Sequence, residues 1–193
     1  MDRTPTTAPP TTSWPLGRAH SITVRPIRPD DVDLEVEFIG RLSPESIYNR
    51  VFSNSLSLTP EWLERLTRID FTRDMAIIAT VTLDSRETQI GVARYVRLEN
   101  GSCCEFAIAV ANQWQGCGIG ARLLRELIAI ASRAGITQIV GDVLSTNVAM
   151  FALARRVGMS VQPHPDDATL RRLVLSIPDS ARSQEAAYLS SQD

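Results

Sequence analysis

Six residues near the middle of the chain, from Gly116 to Ala121, read GCGIGA and have the composition of a phosphate-binding loop. Their spacing fits two kinds of loop. Read from Gly116, the sequence matches GxGxxA, which binds a dinucleotide, and Asp142 follows about 20 residues later, where an acidic ribose ligand is expected. Read from Gln115, it matches QxxGxG, a loop that holds the pyrophosphate of an acyl-coenzyme A. In both cases glycines let the backbone approach phosphate oxygens, and a following helix points its amides at them.

The surrounding sequence separates these two interpretations. A dinucleotide-binding loop directly follows the first parallel strand, whereas here the five residues ANQWQ separate Val110 from Gly116. At least three strand-like runs precede the loop, and they are arranged as hairpins. Asp142 falls inside a later strand-like run, not at its carboxyl end. The context therefore favours a loop that binds an acyl-coenzyme A.

Glu105 is the candidate for a general base. It lies in the strand-like run CCEFAIAV, whose side chains should alternate between two faces. Bulky apolar residues occupy one face, so Glu105 shares the other with Ala107 and Ala109, which leave room for a substrate. A surface carboxylate at the start of a strand is the alternative interpretation. The other candidates for the base are Glu99, Asp142 and Glu87.

The elements that must position these residues predict an α+β fold, also described as mixed α/β. A first strand near residues 22–27 precedes three helices, opened by Pro29, by Ser43 and by Thr59 with Pro60 in the first turn. Three strand-like runs separated by polar turns then predict an antiparallel meander. After the glycine loop, the pattern predicts helix, strand, helix and a last strand ending near residue 177.

One domain over residues 21–177 is predicted from the length and from the apolar patterns. The chain has 193 residues, of which 44% are hydrophobic, which is typical of a globular protein with a substantial core. Residues 1–20 are rich in Thr and Pro and indicate a disordered leader, with a transit peptide as the alternative. Residues 178–193 are predicted to be a polar tail.

Composition excludes several classes of partner. A formal net charge of −2 argues against a broad surface for nucleic acid or an anionic membrane, and the apolar runs are too short to span a bilayer. The three cysteines and two histidines lack the spacing of a metal site. No signal-peptide pattern is present, so the cytoplasm is the expected location.

The quoted features together resemble the GNAT superfamily of acetyl-CoA-dependent N-acyltransferases. The resemblance rests on EFAIAV, WQGCGIGARLLRELI, AGITQIVGDVL and ALARRVGM. Further stretches, including VRPIRPDDVD, RLSPESIYNRVF and GVARY, resemble the acetyltransferase domain of bacterial Pat-type protein lysine acetyltransferases. The resemblance implies a twisted mixed sheet flanked by helices, with antiparallel N-terminal strands and two splayed strands that hold an acyl-CoA.

The resemblance also implies roles for individual residues. Glu105 would be the general base in direct transfer of acetyl from acetyl-CoA to an amine. Asn147 would contact the coenzyme arm, although a helix N-cap is the alternative role. The backbone of the strand before the loop would pair with the pantetheine arm, and the loop would hold the pyrophosphate. The coenzyme-binding residues implied in this way, besides Asn147, are Ile108, Ala109, Val110, Gln115, Gly116, Cys117, Gly118, Ile119, Gly120 and Ala121.

One position departs from the superfamily pattern. Many GNAT enzymes have a Tyr as general acid four residues before the glycine that ends the last helix, and here Ala154 occupies that position. A thiol with a pKa near 8.5 can leave as a thiolate without an acid, so an active enzyme is still expected. The expected acceptor is a protein lysine. A small amine is the first alternative, and a non-catalytic acyl-CoA sensor is the second.

Overall fold

The structure, a computed structural model, describes residues 8–17, 20–51, 59–99 and 101–178, with only the backbone for 48–51. Its strands are β1 (Thr12–Leu16), β2 (His20–Pro26), β3 (Asp74–Leu83), β4 (Arg86–Arg97), β5 (Cys103–Val110), β6 (Gln138–Leu144), β7 (Ser160–Pro163) and β8 (Leu170–Ser176). Its helices are α1 (Val32–Gly40), α2 (Pro44–Val51), α3 (Pro60–Thr67), α4 (Ile119–Arg133) and α5 (Val148–Arg156).

The described strands form one sheet of eight, in the order β1-β2-β3-β4-β5-β6-β8-β7. Neighbouring strands are antiparallel except for β5 and β6, which are parallel. The predicted mixed sheet with an antiparallel meander over β3, β4 and β5 is therefore confirmed.

Short polar residues start the helices as the sequence indicates. The Ser43 hydroxyl accepts a hydrogen bond from the Ser46 amide at 3.2 Å, at the start of α2. The Thr59 hydroxyl accepts one from the Trp62 amide at 3.2 Å, and Pro60 occupies the first position of α3. Each cap satisfies one of the amides that a helix start leaves without an intrahelical partner.

Two layers of helices cover the two faces of the sheet. On one face, Leu123, Leu124 and Leu127 of α4 are fully buried against the central strands. On the other face, Phe38 of α1 packs with α3 residues on apolar side chains of β3 and β4, including Val92. The sheet is therefore held between α4 and α5 on one side and α1 to α3 on the other.

A buried ion pair joins β2 to the start of α1. The Arg25 guanidinium donates to both carboxylate oxygens of Asp31 at 2.7 Å, and it also donates to Glu87 at 3.0 Å. Burial raises the pKa of the Asp31 carboxyl, but hydrogen bonds from Arg25 and from the Arg28 amide outweigh burial and leave that pKa below its ordinary value.

The predicted disordered leader is wrong for residues 12–16. These residues form β1, an edge strand that pairs with β2 from Thr12 opposite Val24 to Leu16 opposite His20. Alternate side chains, including Trp14, are half-buried, because the hairpin turns them toward the core. A Thr- and Pro-rich run with so few apolar residues gives little sign of this pairing. Residues 1–7, 18 and 19 lie outside the described residues.

The end of the domain contains one strand that was not predicted from the sequence. The four residues of β7 pair antiparallel with β8, whereas the sequence analysis predicts no strand between the last helix and the last strand. The last predicted strand is confirmed as β8. The predicted polar tail lies outside the described residues from position 179 onward.

Candidate active site

A cleft opens in the middle of the sheet because β5 and β6 diverge. Their parallel pairing covers only Cys103 to Glu105 against Gln138 to Val140. Beyond Glu105, β5 continues to pair with β4 as far as Val110, so its other edge faces no described strand. Backbone groups on that edge are available to a ligand that adds as an extra strand.

The ring of Phe106 lies across β6 at the point of divergence. A Cβ atom added to Gly141 would be 2.5 Å from Cε1 and 2.8 Å from Cδ1 of that ring, well inside contact distance. Phe106 is 7% exposed, so the ring has little space to move. Gly141 therefore allows the ring to separate the two strands. The sequence analysis missed this contact, for which the signal is a lone glycine inside a strand pattern.

The cleft has a volume of about 830 Å³, which is within the range of small-molecule binding sites. Residues from β5, β6, the start of α2, the glycine loop, the start of α4 and α5 line it. Each of these elements was predicted separately from the sequence, and the fold brings them around one space.

The glycine loop has a backbone that requires glycine at two positions. Gly116 and Gly118 have φ of +75° and +84°, and nothing lies within 4 Å of a Cβ added to either. The first hydrogen bond of α4 runs from the Arg122 amide to the Gly118 carbonyl, so the preceding amides have no partner inside the helix. Free amides at a helix start, beside an open loop, form a site for a phosphate anion.

Gly120 has a different role from the other two glycines. Its φ is ordinary, and an added Cβ would lie 3.4 Å from Leu153 Cδ2 of α5 and 3.6 Å from Val110 Cγ2. Its small size lets α4 pack closely on α5. Ala121, one position further, is buried and also lines the cleft.

The side chains of three predicted coenzyme-binding residues of the loop lie in different surroundings. Gln115 Nε2 donates to the Val110 carbonyl at 3.0 Å, so this side chain holds the end of β5. Ile119 is 1% exposed in the core, which leaves only its backbone for a ligand. Cys117 is exposed but does not line the cleft. By contrast Ile108, Ala109 and Val110 all line it.

Glu105 is exposed at the point where the strands part, and it lines the cleft. Asp142 lines the same wall, but it is bonded to neighbours: Arg172 donates to its two oxygens at 2.8 and 2.9 Å, and His164 Nε2 lies 3.2 Å from Oδ2. The hydrogen bonds from Arg172 hold the pKa of the Asp142 carboxyl below its ordinary value. Within the described residues, Glu105 has no ion pair or side-chain hydrogen bond.

The two remaining candidates for the base lie away from this space. Glu87 pairs with Arg25 of β2, and neither Glu87 nor Glu99 lines the cleft. Of the four carboxylates considered from the sequence, Glu105 alone combines a place in the cleft with an unpaired carboxylate in the part of the chain that the structure describes.

Asn147 occupies a position that suits both of its predicted roles. Its Oδ1 accepts a hydrogen bond from the Met150 amide at 3.0 Å, which caps α5, and the residue also lines the cleft. Ala154 is fully buried in the core and does not line the cleft. Its methyl side chain has no proton to donate to a leaving group.

Two charged residues of the cleft were not selected from the sequence. Glu45 at the start of α2 and Arg156 at the end of α5 both line it. Sequence spacing does not show which face of the last helix meets the cleft, so it does not distinguish Arg156 from its neighbour Arg155. In the described ranges, no group of three His, Cys, Asp or Glu side chains could hold a metal ion, and no helix is long and apolar enough to cross a membrane.

Comparisons with known proteins agree with this geometry. Residues 21–160 match the family model for an acetyltransferase (GNAT) domain. The chain is 35% identical over 162 residues to acetyltransferase PA5475 of Pseudomonas aeruginosa, covering 83% of this chain and 87% of that protein.

Solved structures place the fold in the same family. The GNAT domain of S. lividans Pat has a TM-score of 0.78 and 26% identity, covering 86% of this chain and 97% of that one. The putative acetyltransferase yncA from Salmonella typhimurium, solved with its cofactor acetyl-CoA, has a TM-score of 0.65 and 18% identity. That match covers 82% of this chain and 95% of the other, and at this identity it concerns the fold alone. The chain therefore belongs to the GNAT family of N-acetyltransferases.

Proposed function

We propose that this chain transfers the acetyl group of acetyl-CoA directly to a lysine side chain of another protein, with Glu105 as general base. One observation carries the proposal: β5 and β6 part at Glu105, and the glycine loop follows the free end of β5. Val110 lies five positions after Glu105, which corresponds to about 17 Å of extended strand. An extended acyl-CoA arm along β5 would connect a reaction centre near Glu105 to a phosphate site at the loop.

The residues around the cleft fit this donor. The open edge of Ile108 to Val110 can pair with the amides of the pantetheine arm, and a backbone N–H there can stabilise the oxyanion of the reacting thioester. The backbone from Gly116 to Ala121 supplies amides for the pyrophosphate. Asn147, at the start of α5, is the side chain that we assign to the coenzyme arm.

The attacking nitrogen loses two protons in the course of the reaction. A lysine ammonium has a pKa near 10.4, so the attacking nitrogen must lose a proton to become a nucleophile. Glu105 accepts that proton, directly or through a water molecule. The neutral amine forms a bond to the thioester carbonyl carbon, which leaves a second proton on the now cationic nitrogen. That proton passes to water, the carbon–sulfur bond breaks, and coenzyme A leaves as the thiolate. With Ala154 at the position of the usual acid, the thiolate takes its proton from solvent.

The charge of the cleft supports a cationic acceptor. Glu45, Glu105 and Asp142 all line it, and the first two have no ion pair with a described residue. Carboxylates attract an approaching ammonium group and disfavour an anionic acceptor. The resemblance to Pat-type enzymes supports a protein lysine as the acceptor in preference to a small amine.

The test compares Glu105→Gln with Glu99→Gln, an exposed carboxylate outside the cleft. Acetyl transfer from acetyl-CoA to a panel of lysine-containing proteins is measured with an antibody against acetyl-lysine. All 20 basic residues of this chain are arginine, so the enzyme adds no acetyl-lysine signal of its own. We expect Glu105→Gln to lower kcat by a factor of about 10² to 10⁴. Affinity for acetyl-CoA should change less than about twofold, because the coenzyme binds mainly through backbone groups.

Other outcomes would contradict separate parts of the proposal. An unchanged kcat in Glu105→Gln would exclude this residue as the base. Transfer to polyamines or amino acids, without transfer to any protein, would replace the lysine acceptor with a small amine. Tight acetyl-CoA binding without transfer to any amine would favour the non-catalytic sensor.

A further inference from the structure

The charges around the cleft are divided between its elements. Of the described side chains that line it, Glu45, Glu105 and Asp142 are acidic and Arg156 alone is cationic. The acids are on β5, β6 and α2, whereas Arg156 is on α5. Coenzyme A carries its negative charge on the nucleotide, in the pyrophosphate and in a further phosphate on the ribose 3′ oxygen. The lone cation therefore marks the part of the cleft that suits the nucleotide.

Helix α5 presents one face to the cleft. Its first turn contributes several lining residues, and beyond that turn Ala152, Leu153 and Arg156 line the cleft from one side of the helix, since they are one, three or four residues apart. Leu153 lies against Gly120, at the start of α4. Arg156 lies about one turn further along α5 from Leu153, which places it beside the first turns of α4.

A second contact fixes this end of α5 next to α4. Arg125 Nη2 lies 3.4 Å from the Arg156 carbonyl, across the two helices. Arg125 is on the second turn of α4, which begins at the glycine loop. The end of α5 and the start of α4 therefore meet next to the loop that we assign to the pyrophosphate.

The Arg156 guanidinium has no partner within the described part of the chain. It forms no ion pair and no side-chain hydrogen bond there, unlike Arg172, which is bonded to Asp142 on the same cleft. Its neighbour Arg155 is also exposed but does not line the cleft. An unpaired guanidinium beside a phosphate site has the geometry to bind a second phosphate with two parallel hydrogen bonds.

We propose that Arg156 binds the 3′-phosphate of the acyl donor and thereby selects coenzyme A over its 3′-dephospho form. This inference rests on the proposed function, because it takes acetyl-CoA as the donor. Arg156 is a binding residue of the nucleotide and takes no part in acetyl transfer. The pyrophosphate is the competing partner for Arg156, and the experiment separates the two.

The experiment measures the affinity of acetyl-CoA and of 3′-dephospho-acetyl-CoA by calorimetry. The full chain is compared with Arg156→Gln and with the matched control Arg155→Gln. We expect wild type and the control to bind acetyl-CoA about 3- to 10-fold more tightly than the dephospho form, as suits one charge-assisted contact at an exposed site. Arg156→Gln should bind both donors equally, with the affinity that wild type has for the dephospho form.

The remaining outcomes are distinct. If Arg156→Gln weakens both donors by the same factor and keeps the preference for acetyl-CoA, Arg156 binds the pyrophosphate and the proposal is wrong. The proposal is also wrong if Arg156→Gln binds both donors as wild type does. Failure of the wild-type chain to bind either donor would instead contradict the proposed function itself, so the experiment distinguishes failure of that proposal from failure of the role of Arg156.

Discussion

Replacement of Gly141 by Ala tests whether the Phe106 ring is what separates β5 from β6. The added Cβ would lie 2.5 Å from Phe106 Cε1, whereas carbon atoms in contact are about 3.5 Å apart or more. The ring would have to move by about 1 Å in a core where it is 7% exposed. Overpacking of this kind costs about 1–3 kcal/mol, and the lower entropy of the unfolded chain offsets about 0.4–1 kcal/mol.

We therefore expect Gly141→Ala to lower the free energy of unfolding by about 1–2 kcal/mol, measured by urea denaturation. For a chain of this size, that corresponds to a fall in Tm of about 2–8 °C. Acetyl-CoA affinity should also fall, because the ring and the strand edge that we assign to the coenzyme belong to the same segment of β5. Gly40→Ala is the matched control: nothing lies within 4 Å of its added Cβ, and we expect a gain of about 0.5–1 kcal/mol.

A double-mutant cycle tests whether the destabilisation by Gly141→Ala arises from the Phe106 ring. In a Phe106→Leu background the clash is smaller, so Gly141→Ala should be neutral or stabilising there. The expected coupling free energy between the two positions is about 1–2 kcal/mol. Equal destabilisation by Gly141→Ala in both backgrounds would refute the reasoning, since the cost would then arise elsewhere in β6.

Three further predictions address the ion pair, the cap and the edge strand. Asp31→Asn should destabilise the protein by about 3 kcal/mol at pH 7, because the buried Arg25 loses its bidentate partner. The folded pKa of Asp31 is lowered, so its contribution is present above the unfolded pKa of about 3.9 and is lost as pH falls through the folded pKa. Urea titrations should therefore show that the loss of unfolding free energy in Asp31→Asn becomes smaller below about pH 4. A loss that is independent of pH would contradict this prediction. Asn147→Asp should keep the helix cap, whereas Asn147→Ala should lower the free energy of unfolding by about 1 kcal/mol. Both variants should bind acetyl-CoA more weakly in calorimetry. Tight binding by Asn147→Asp would contradict the role of Asn147 in coenzyme binding. Trp14→Ala and Arg122→Gln should show a coupling of about 0.5–1 kcal/mol in denaturation, because the guanidinium lies 4.7 Å from the ring centroid, and zero coupling would exclude the contact.

The extent to which the sequence predicts the site differs between its parts. The glycine loop is predictable because Gly116 and Gly118 adopt a left-handed backbone, a requirement that residue type reveals directly. The exposed face of Glu105 is predictable because alternation along a strand assigns side chains to faces. Gln115 illustrates the limit: its residue type suits a phosphate contact, but in the fold its amide reaches the Val110 carbonyl.

The N-terminal strand and the pairing of Asp142 show a second limit. Thr12–Leu16 has weak apolar alternation, and it becomes a strand because β2 offers a free edge and α4 offers Arg122 to Trp14. Asp142 becomes a poor base because Arg172 and His164 reach it from β8 and from the loop after β7. Neither partner is close to Asp142 in sequence.

Local patterns in the chain are sufficient to predict its helices, most of its strands, its glycine loop and its family, because caps, periodicity and glycine backbone requirements act within a few residues. The cleft itself depends on contacts between distant segments. The ring of Phe106 and the absent side chain of Gly141 are 35 residues apart in the numbering, and their contact is where β5 leaves β6. In the same way Arg156 becomes a cleft residue when Leu153 of α5 packs on Gly120 of α4. Steric fit between elements is a property of the folded chain, and it determines which of the chemically suitable residues meet in one site.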